Sequence, residues 1–271
     1  MPEMRHSAAR GTRRLLRDRR FAVALGQLGI LLLIALLWEG SVAIGWLNAN
    51  RAGEPSAIWN LFVAALKNGT LWGNLKVTLY EELTGFAIGV GGGTLIGLGL
   101  WWSRTLSQVL EPFAVAFNGI PKIALAPPMI VWFGIFETSK IVLAASICFI
   151  IAWIAAYEGT RFADRDQVDM LRAMGGSRWD AFIRVVVPSA MPWVVSAMKI
   201  NIGLALAGAI VGEFVASNHG LGFLAVQATI MFQMSELWML VFVITLVAAI
   251  QYLVLLWVER RTIAWAETGW R

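Results

Sequence analysis

Charged residues make up only 14% of this 271-residue chain, well short of a soluble domain's share, which excludes an ordinary water-soluble fold. Cysteine is nearly missing: Cys148 stands alone inside an apolar run, so no intrachain disulfide can form. The two histidines, His6 and His219, lie in a basic tail and a later polar loop without ligand-spaced partners, and no metal site is written here. No G-x-x-x-x-G-K-[ST] stretch occurs. The glycine-rich segment Gly89 to Gly97 lacks the lysine that reaches phosphates, so the chain has no nucleotide site of its own. Internal repeats and inverted pairs of broken helices, the marks of many secondary transporters, are also missing.

What the chain has is apolar length: 58% hydrophobic residues and a mean hydropathy of +0.69. A bilayer core of about 30 Å needs about 20 helical residues. Runs of that order occupy 22–47, 74–102, 108–134, 139–158, 189–215 and 237–258. They predict an all-α polytopic membrane protein with six transmembrane helices in one domain, 21–271, behind a basic tail, 1–20. The tail and Ser41-Val42-Ala43 mimic a cleaved signal peptide. The apolar run is too long for one, however, and six spans with both ends on one side balance the charges better. Most of the 22 Lys and Arg fall in the tail, the 103–107 and 159–187 segments and the C-terminus, which places those on the cytoplasmic side of an inner membrane. The net charge of +5 therefore reports topology and does not argue for nucleic acid. Segment 56–69 is too short to span and reads as a helix on the outer surface. Trp101, Trp102, Trp132 and Trp238 sit near span ends as interface anchors.

Within the spans, Gly85, Gly89, Gly93 and Gly97 recur every four residues and give the second span one side-chain-free face. That face suits helix packing inside the chain, or else a pore or subunit contact. Ionisable residues at membrane depth are costly and mark functional candidates. Lys122, Lys199 and Glu213 are the deepest; Lys199 falls near the midplane, either locally paired or facing the pathway. Glu213 lies about 21 Å further along the same helix, so the two cannot pair. Glu213 suits a hydrogen bond with the loop that follows it. In the third span, Pro121, Pro127 and Pro128 break any regular helix. Broken backbone at that depth survives only inside protein or along a cavity, which favours a translocation path past Pro121, Lys122 and Pro127.

The polar stretch 159–187 is patterned differently. Asp164 caps a first short helix with Asp169 in its early turns, Gly175 ends it, and Ser177 with Asp180 forms a capping box for a second. Trp179, Phe182 and Ile183 are expected to be exposed, and Pro188 to open the fifth span. The five arginines of this stretch balance five acids, Glu158 just before it and Asp164, Asp166, Asp169 and Asp180 within it. A charge-balanced amphipathic hairpin suits a protein groove, with the lipid interface as the rival.

Here the chain resembles the permease subunits of ATP-binding-cassette (ABC) importers, of the sulfonate, nitrate and taurine type. Asp169-Met170-Leu171 followed three residues later by Gly175 resembles the family's cytoplasmic E-A-A-x-x-x-G motif. The matches extend to the Ile120–Pro127 segment, Trp132-Phe133-Gly134, Ser139-Lys140, Gly212-Glu213 and Gly220-Leu221-Gly222. The departures are Asp169 for glutamate, Met170-Leu171 for two alanines, and Glu81-Glu82 where an arginine is common. The resemblance implies a type I importer permease fold and a homodimer with a translocation path for a small anionic solute. It implies an ATPase dimer that hydrolyses ATP with Mg, gripping Asp164, Asp169, Met170, Leu171, Gly175, Ser177, Trp179 and Phe182, and a periplasmic binding protein opposite. Alternative cargoes are a thiamine pyrimidine or a riboflavin-like nutrient. A stand-alone secondary transporter is the alternative from another class.

Overall fold

The computed structural model describes Val23 and residues 25–262, which are helical or in turns throughout, with no strand among them. The basic tail, 1–20, lies outside the described residues. The order is α1 (Leu25–Ala43), a single turn α2 (Ala49–Ala52), α3 (Pro55–Lys67), α4 (Thr70–Gly99), α5 (Arg104–Gly119), α6 (Ala126–Phe133), α7 (Glu137–Arg161), α8 (Arg165–Ala173), α9 (Arg178–Ala181), α10 (Val187–Val215), α11 (Leu221–Ile230) and α12 (Met234–Thr262). Five helices are long and apolar enough to cross a membrane. The sixth expected span is the pair α5 and Lys122–Phe133, bent by 91°.

The bend follows from covalent geometry. Pro121 cannot donate to the helical ladder and holds Ile120 and itself in extended backbone, with ψ of 130° and 103°. The prolines at 127 and 128 do the reverse. They occupy the first turn of α6, where no intrahelical donor is needed, and so start a helix.

The core is the contact of α4 with α7, completed by α10, which packs against both. Gly85, Gly89, Gly93 and Gly97 all face α7. A methyl group added at Gly85 would lie 2.6 Å from Ala144 Cβ and 2.8 Å from Ile141 O. Added at Gly93 it would press into the backbone of Phe149 and Trp153. The glycine face is therefore spent on packing within the chain, where close backbone approach replaces water exclusion as the source of cohesion. Gly208 repeats the device between α10 and the Ala144 backbone.

Residues 216–235, which read as a loop, contain α11. Its Leu221 and Ala225 pack with Leu71, Met239 and Leu240, and α3 covers this cluster with Ile58, Phe62 and Leu66. No residue in the apolar stretch of α1 is buried. It is held at its C-terminal end, where Trp38 stacks edge-on against Trp238 at 5.5 Å and donates from Nε1 to Gly53 O at 3.2 Å.

Pro188 lies in the first turn of α10, as expected, but no break in the helix precedes it. A single helix runs from Arg178 to Val215, about 57 Å at 1.5 Å per residue, through a π-helical turn at Phe182–Val186. Such turns insert one residue without breaking the helix, so the hairpin's second arm and the span move as one piece.

Candidate functional site

The hairpin is fixed at each corner by its own sequence. Asp164 accepts from the backbone N–H of Asp166 at 2.9 Å and caps α8. At the other end Gly175 takes φ 86°; its N–H donates to Arg172 O at 2.9 Å and that of Gly176 to Leu171 O at 3.0 Å. These are the two bonds of a Schellman stop, which needs a residue free to adopt positive φ. Ser177 and Asp180 then form a reciprocal capping box, the Ser177 backbone N–H donating to Asp180 Oδ2 at 2.9 Å and the Asp180 N–H to Ser177 Oγ at 3.1 Å. The Ser177 hydroxyl, which also donates to Asp180 Oδ2, and after it the Ser177 backbone N–H hold the Asp180 carboxyl below the usual carboxylate range. It lies in the first turn of the long helix, beyond its apolar part.

Tertiary contacts then aim the hairpin. Trp179 and Ile183 are exposed as expected and Phe182 is half-buried, but Trp179 and Phe182 also pack on their own chain. Phe182 lies 5.5 Å from Trp101 and 5.6 Å from Trp102, and Trp179 lies 5.7 Å from Trp102. The Arg178 guanidinium sits 5.2 and 5.0 Å from the Trp101 and Trp102 rings, and its Nη2 donates to Trp102 O at 2.6 Å. An aromatic and cation clamp thus ties the hairpin to the end of α4, and Trp101 and Trp102 serve it besides anchoring a span end. Trp179 stays 56% exposed, and the apolar groups left outward on the first arm are Met170 and Met174. Asp169 has no ion-pair partner among the described residues.

A buried polar knot occupies the opposite end of the bundle. Glu213 accepts from Thr78 Oγ1 at 2.7 Å and from the Gly222 N–H, so it does bond the segment after it, and a helix that the sequence reading had not joined to it. Thr78 also accepts from the Leu221 N–H, and Asn74 from that of Gly220. Lys140 Nζ bridges Glu81 Oε1 at 2.9 Å and Ser217 Oγ at 2.8 Å. Thr78, Glu81, Lys140 and Glu213 are all buried. Glu81 was legible as a departure and Lys140 as a motif match. Their pairing across 59 residues was not.

Lys199 takes the paired alternative of the two expected for it. Its Nζ pairs with Glu259 Oε1 at 2.6 Å, beside Arg260 and Arg261 at the end of α12. Lys122, at the bend, donates to the Asn118 carbonyl at 2.7 Å and has no carboxylate partner among the described residues. Pro121 and Pro127 flank it on the two sides of the break. Further polar groups sit in the interior: Glu82, named only as a departure, accepts from Gln251 Nε2 at 2.9 Å, and Asn201, which the sequence reading passed over, is fully buried with neither amide atom bonded. Their signal was polarity inside an apolar run.

Residues 89–263 match the family model of the binding-protein-dependent transport system inner membrane component. The chain belongs to this family. The match takes in the hairpin, the bend and the Glu213 arm of the knot. Among similar curated proteins is a putative aliphatic sulfonates transport permease of Escherichia coli, 31% identical over 72% of this chain and 74% of its own length. Another is a riboflavin transport system permease of Chloroflexus aurantiacus, 31% identical over 89% of this chain and 90% of its own. Among solved structures, a chain of the inward-facing MetNI methionine ABC transporter superposes with a TM-score of 0.59 at 18% identity, covering 71% of this chain and 94% of that one. An ABC permease fold and a place in the membrane of an importer follow. Permease subunits of this family are not themselves enzymes.

Proposed function

We propose that this chain forms the translocation path of an ABC importer for a small anionic organic solute, paired with a second copy of itself. Two ATPase subunits sit at the hairpin end, and a periplasmic binding protein docks at the other. The hairpin end is cytoplasmic by the bias of Lys and Arg, and both termini lie on that side. The observation that carries the reading is the hairpin, doubly capped, clamped to α4 by Trp101, Trp102 and Arg178, and continuous through its second arm with a membrane span. Motion imposed on such an element meets no loop between the hairpin and the span. It passes along α10 into the bundle, which is what coupling ATP hydrolysis to transport requires.

Asp164, Asp169, Met170, Leu171, Gly175 and Ser177 are the residues assigned to the ATPase contact, with Trp179 and Phe182 holding the hairpin for it. The path runs past the break at Pro121, Lys122 and Pro127, while Glu213 holds the opposite end shut and Lys199 braces α10 against α12. The sulfonate class is supported by the relatives named for aliphatic sulfonates in Escherichia coli and Bacillus subtilis, and by the cation Lys122 at the bend, with no carboxylate in ion-pair distance among the described residues. A second reading, a riboflavin or formylaminopyrimidine cargo, rests on relatives bearing those names.

Gly175→Pro demands φ near −65° where the stop needs 86°, and Asp169→Lys reverses a charge on the first arm. In proteoliposomes with the ATPase and binding protein, either substitution is expected to leave the permease in the membrane while solute uptake per ATP falls by about tenfold or more, some 1.4 kcal/mol of lost coupling. Normal coupled uptake by both variants would overturn the hairpin's role. Uptake by the chain alone, without nucleotide, would overturn the importer reading.

A further inference from the structure

A cleft of about 650 Å³ separates α5 from the first arm of the hairpin. Its walls are two helix faces of the same spacing, i, i+3, i+4 and i+7: one starts at Arg104 and ends at Glu111, the other starts at Arg165 and ends at Arg172. Arg161, from the end of α7, lies between them. Four arginines therefore meet two carboxylates, Glu111 and Asp169. Arg161 is neutralised by Glu158 at 3.1 Å and Glu111 at 3.8 Å. Arg104, Arg165 and Arg172 have no carboxylate within ion-pair distance among the described residues. The first turns of α5 and α8, with their positive helix ends, open on the same space.

Like charges on facing walls repel, and a concave site concentrates their field. Three forked guanidiniums around a polar cleft match an anion with several oxygens. We propose that this cleft binds a small oxyanion of the phosphate or sulfonate class, held by Arg104 from α5 and by Arg165 and Arg172 from the hairpin. The bound group ties the hairpin to the helix that leads into the Pro121 bend, so occupancy resists displacement of one against the other. The oxyanion is either free in solution or the headgroup of an acidic lipid. The site follows from the geometry of this chain and stands whether or not the transported solute is an anion.

Hydrogen exchange on the permease in phosphatidylcholine nanodiscs tests it. Sodium sulfate is titrated against sodium chloride at equal ionic strength, and the measurement is repeated in phosphatidylglycerol nanodiscs without sulfate. Slowed exchange in 104–108 and 165–172 that saturates with sulfate supports a free oxyanion; the same protection from phosphatidylglycerol alone supports a headgroup. Arg165→Gln with Arg172→Gln is expected to weaken the response at least about fivefold, as does Arg104→Gln on the opposite wall. Protection in neither lipid, equal protection by chloride, or protection only when the ATPase is added would each overturn the site. So would an unchanged response in Arg104→Gln.

Discussion

A single methyl group is enough to test how α4 and α7 are joined. Gly93→Ala would push a Cβ against the Phe149 carbonyl and the Trp153 amide, atoms that cannot move without moving the helix. Overpacking of this kind costs about 1–3 kcal/mol, so a fall in thermal stability in detergent is expected. Gly91→Ala, two residues away with nothing within 4 Å, is the control and is expected to hold or raise stability. Equal melting of the two variants would show that the glycine face is not the contact. The ion pair of Lys140 with Glu81 poses a sharper residue-scale case, because both side chains are almost fully buried. Lys140→Met strands a buried carboxylate, for an expected loss of about 3–5 kcal/mol, whereas adding Glu81→Gln restores much of it. A double variant as unstable as the sum of the singles would mean that the two groups do not act as a pair.

At the scale of the element, the hairpin's two arms are set by local chemistry and its direction by contacts with α4. The capping box adds a pH dependence whose sign is fixed. Asp180 titrates lower in the folded hairpin than in an unfolded one, so its contribution is complete above the ordinary carboxylate range and is lost as pH falls through its own lowered value. Amide exchange at 178–181, corrected for its intrinsic pH dependence, is expected to rise on acidification in the wild type. In Ser177→Ala, which lacks the hydroxyl partner, the protection is expected to be lower throughout and its acid response smaller. The clamp can be removed separately. Arg178→Gln deletes a cation that covers two tryptophan rings, a contact worth about 0.5–1 kcal/mol at an exposed site. Faster exchange confined to the second arm, with the Schellman turn intact, is the expected signature.

For the whole molecule, stability is concentrated in α4, α7 and α10. The first helix keeps its apolar surface outward, for lipid or for a neighbouring subunit. The knot of Thr78, Glu213, Lys140 and Glu81 joins α4, α7, α10 and the start of α11 at one end, and the hairpin emerges at the other. Between them α10 runs as one continuous helix, with Pro192 in its interior. Thr78→Val is expected to release the 216–222 segment, which would be read as faster exchange there, and to raise ATP hydrolysis that is independent of the binding protein in the assembled importer. Unchanged basal hydrolysis would confine the knot to a structural part.

The amino-acid sequence by itself determined the elements whose causes are local. Apolar length set the spans, Pro121 set the break, and Asp164, Gly175, Ser177 and Asp180 set the hairpin's corners, because capping and proline geometry act within a few residues. The four-residue glycine spacing gave a face but not its partner. Only tertiary structure decided that this face meets α7, that Lys199 is neutralised by Glu259, that Lys140 bridges Glu81 and Ser217, and that Trp179 and Phe182 lean on Trp101 and Trp102. It also made a helix of 221–230 and carried the hairpin's second arm unbroken through Pro188. Each of these depends on residues far apart along the chain. In a bundle of helices that are apolar on most faces, periodicity does not say which face turns inward; close packing and the cost of an unpartnered polar group decide it.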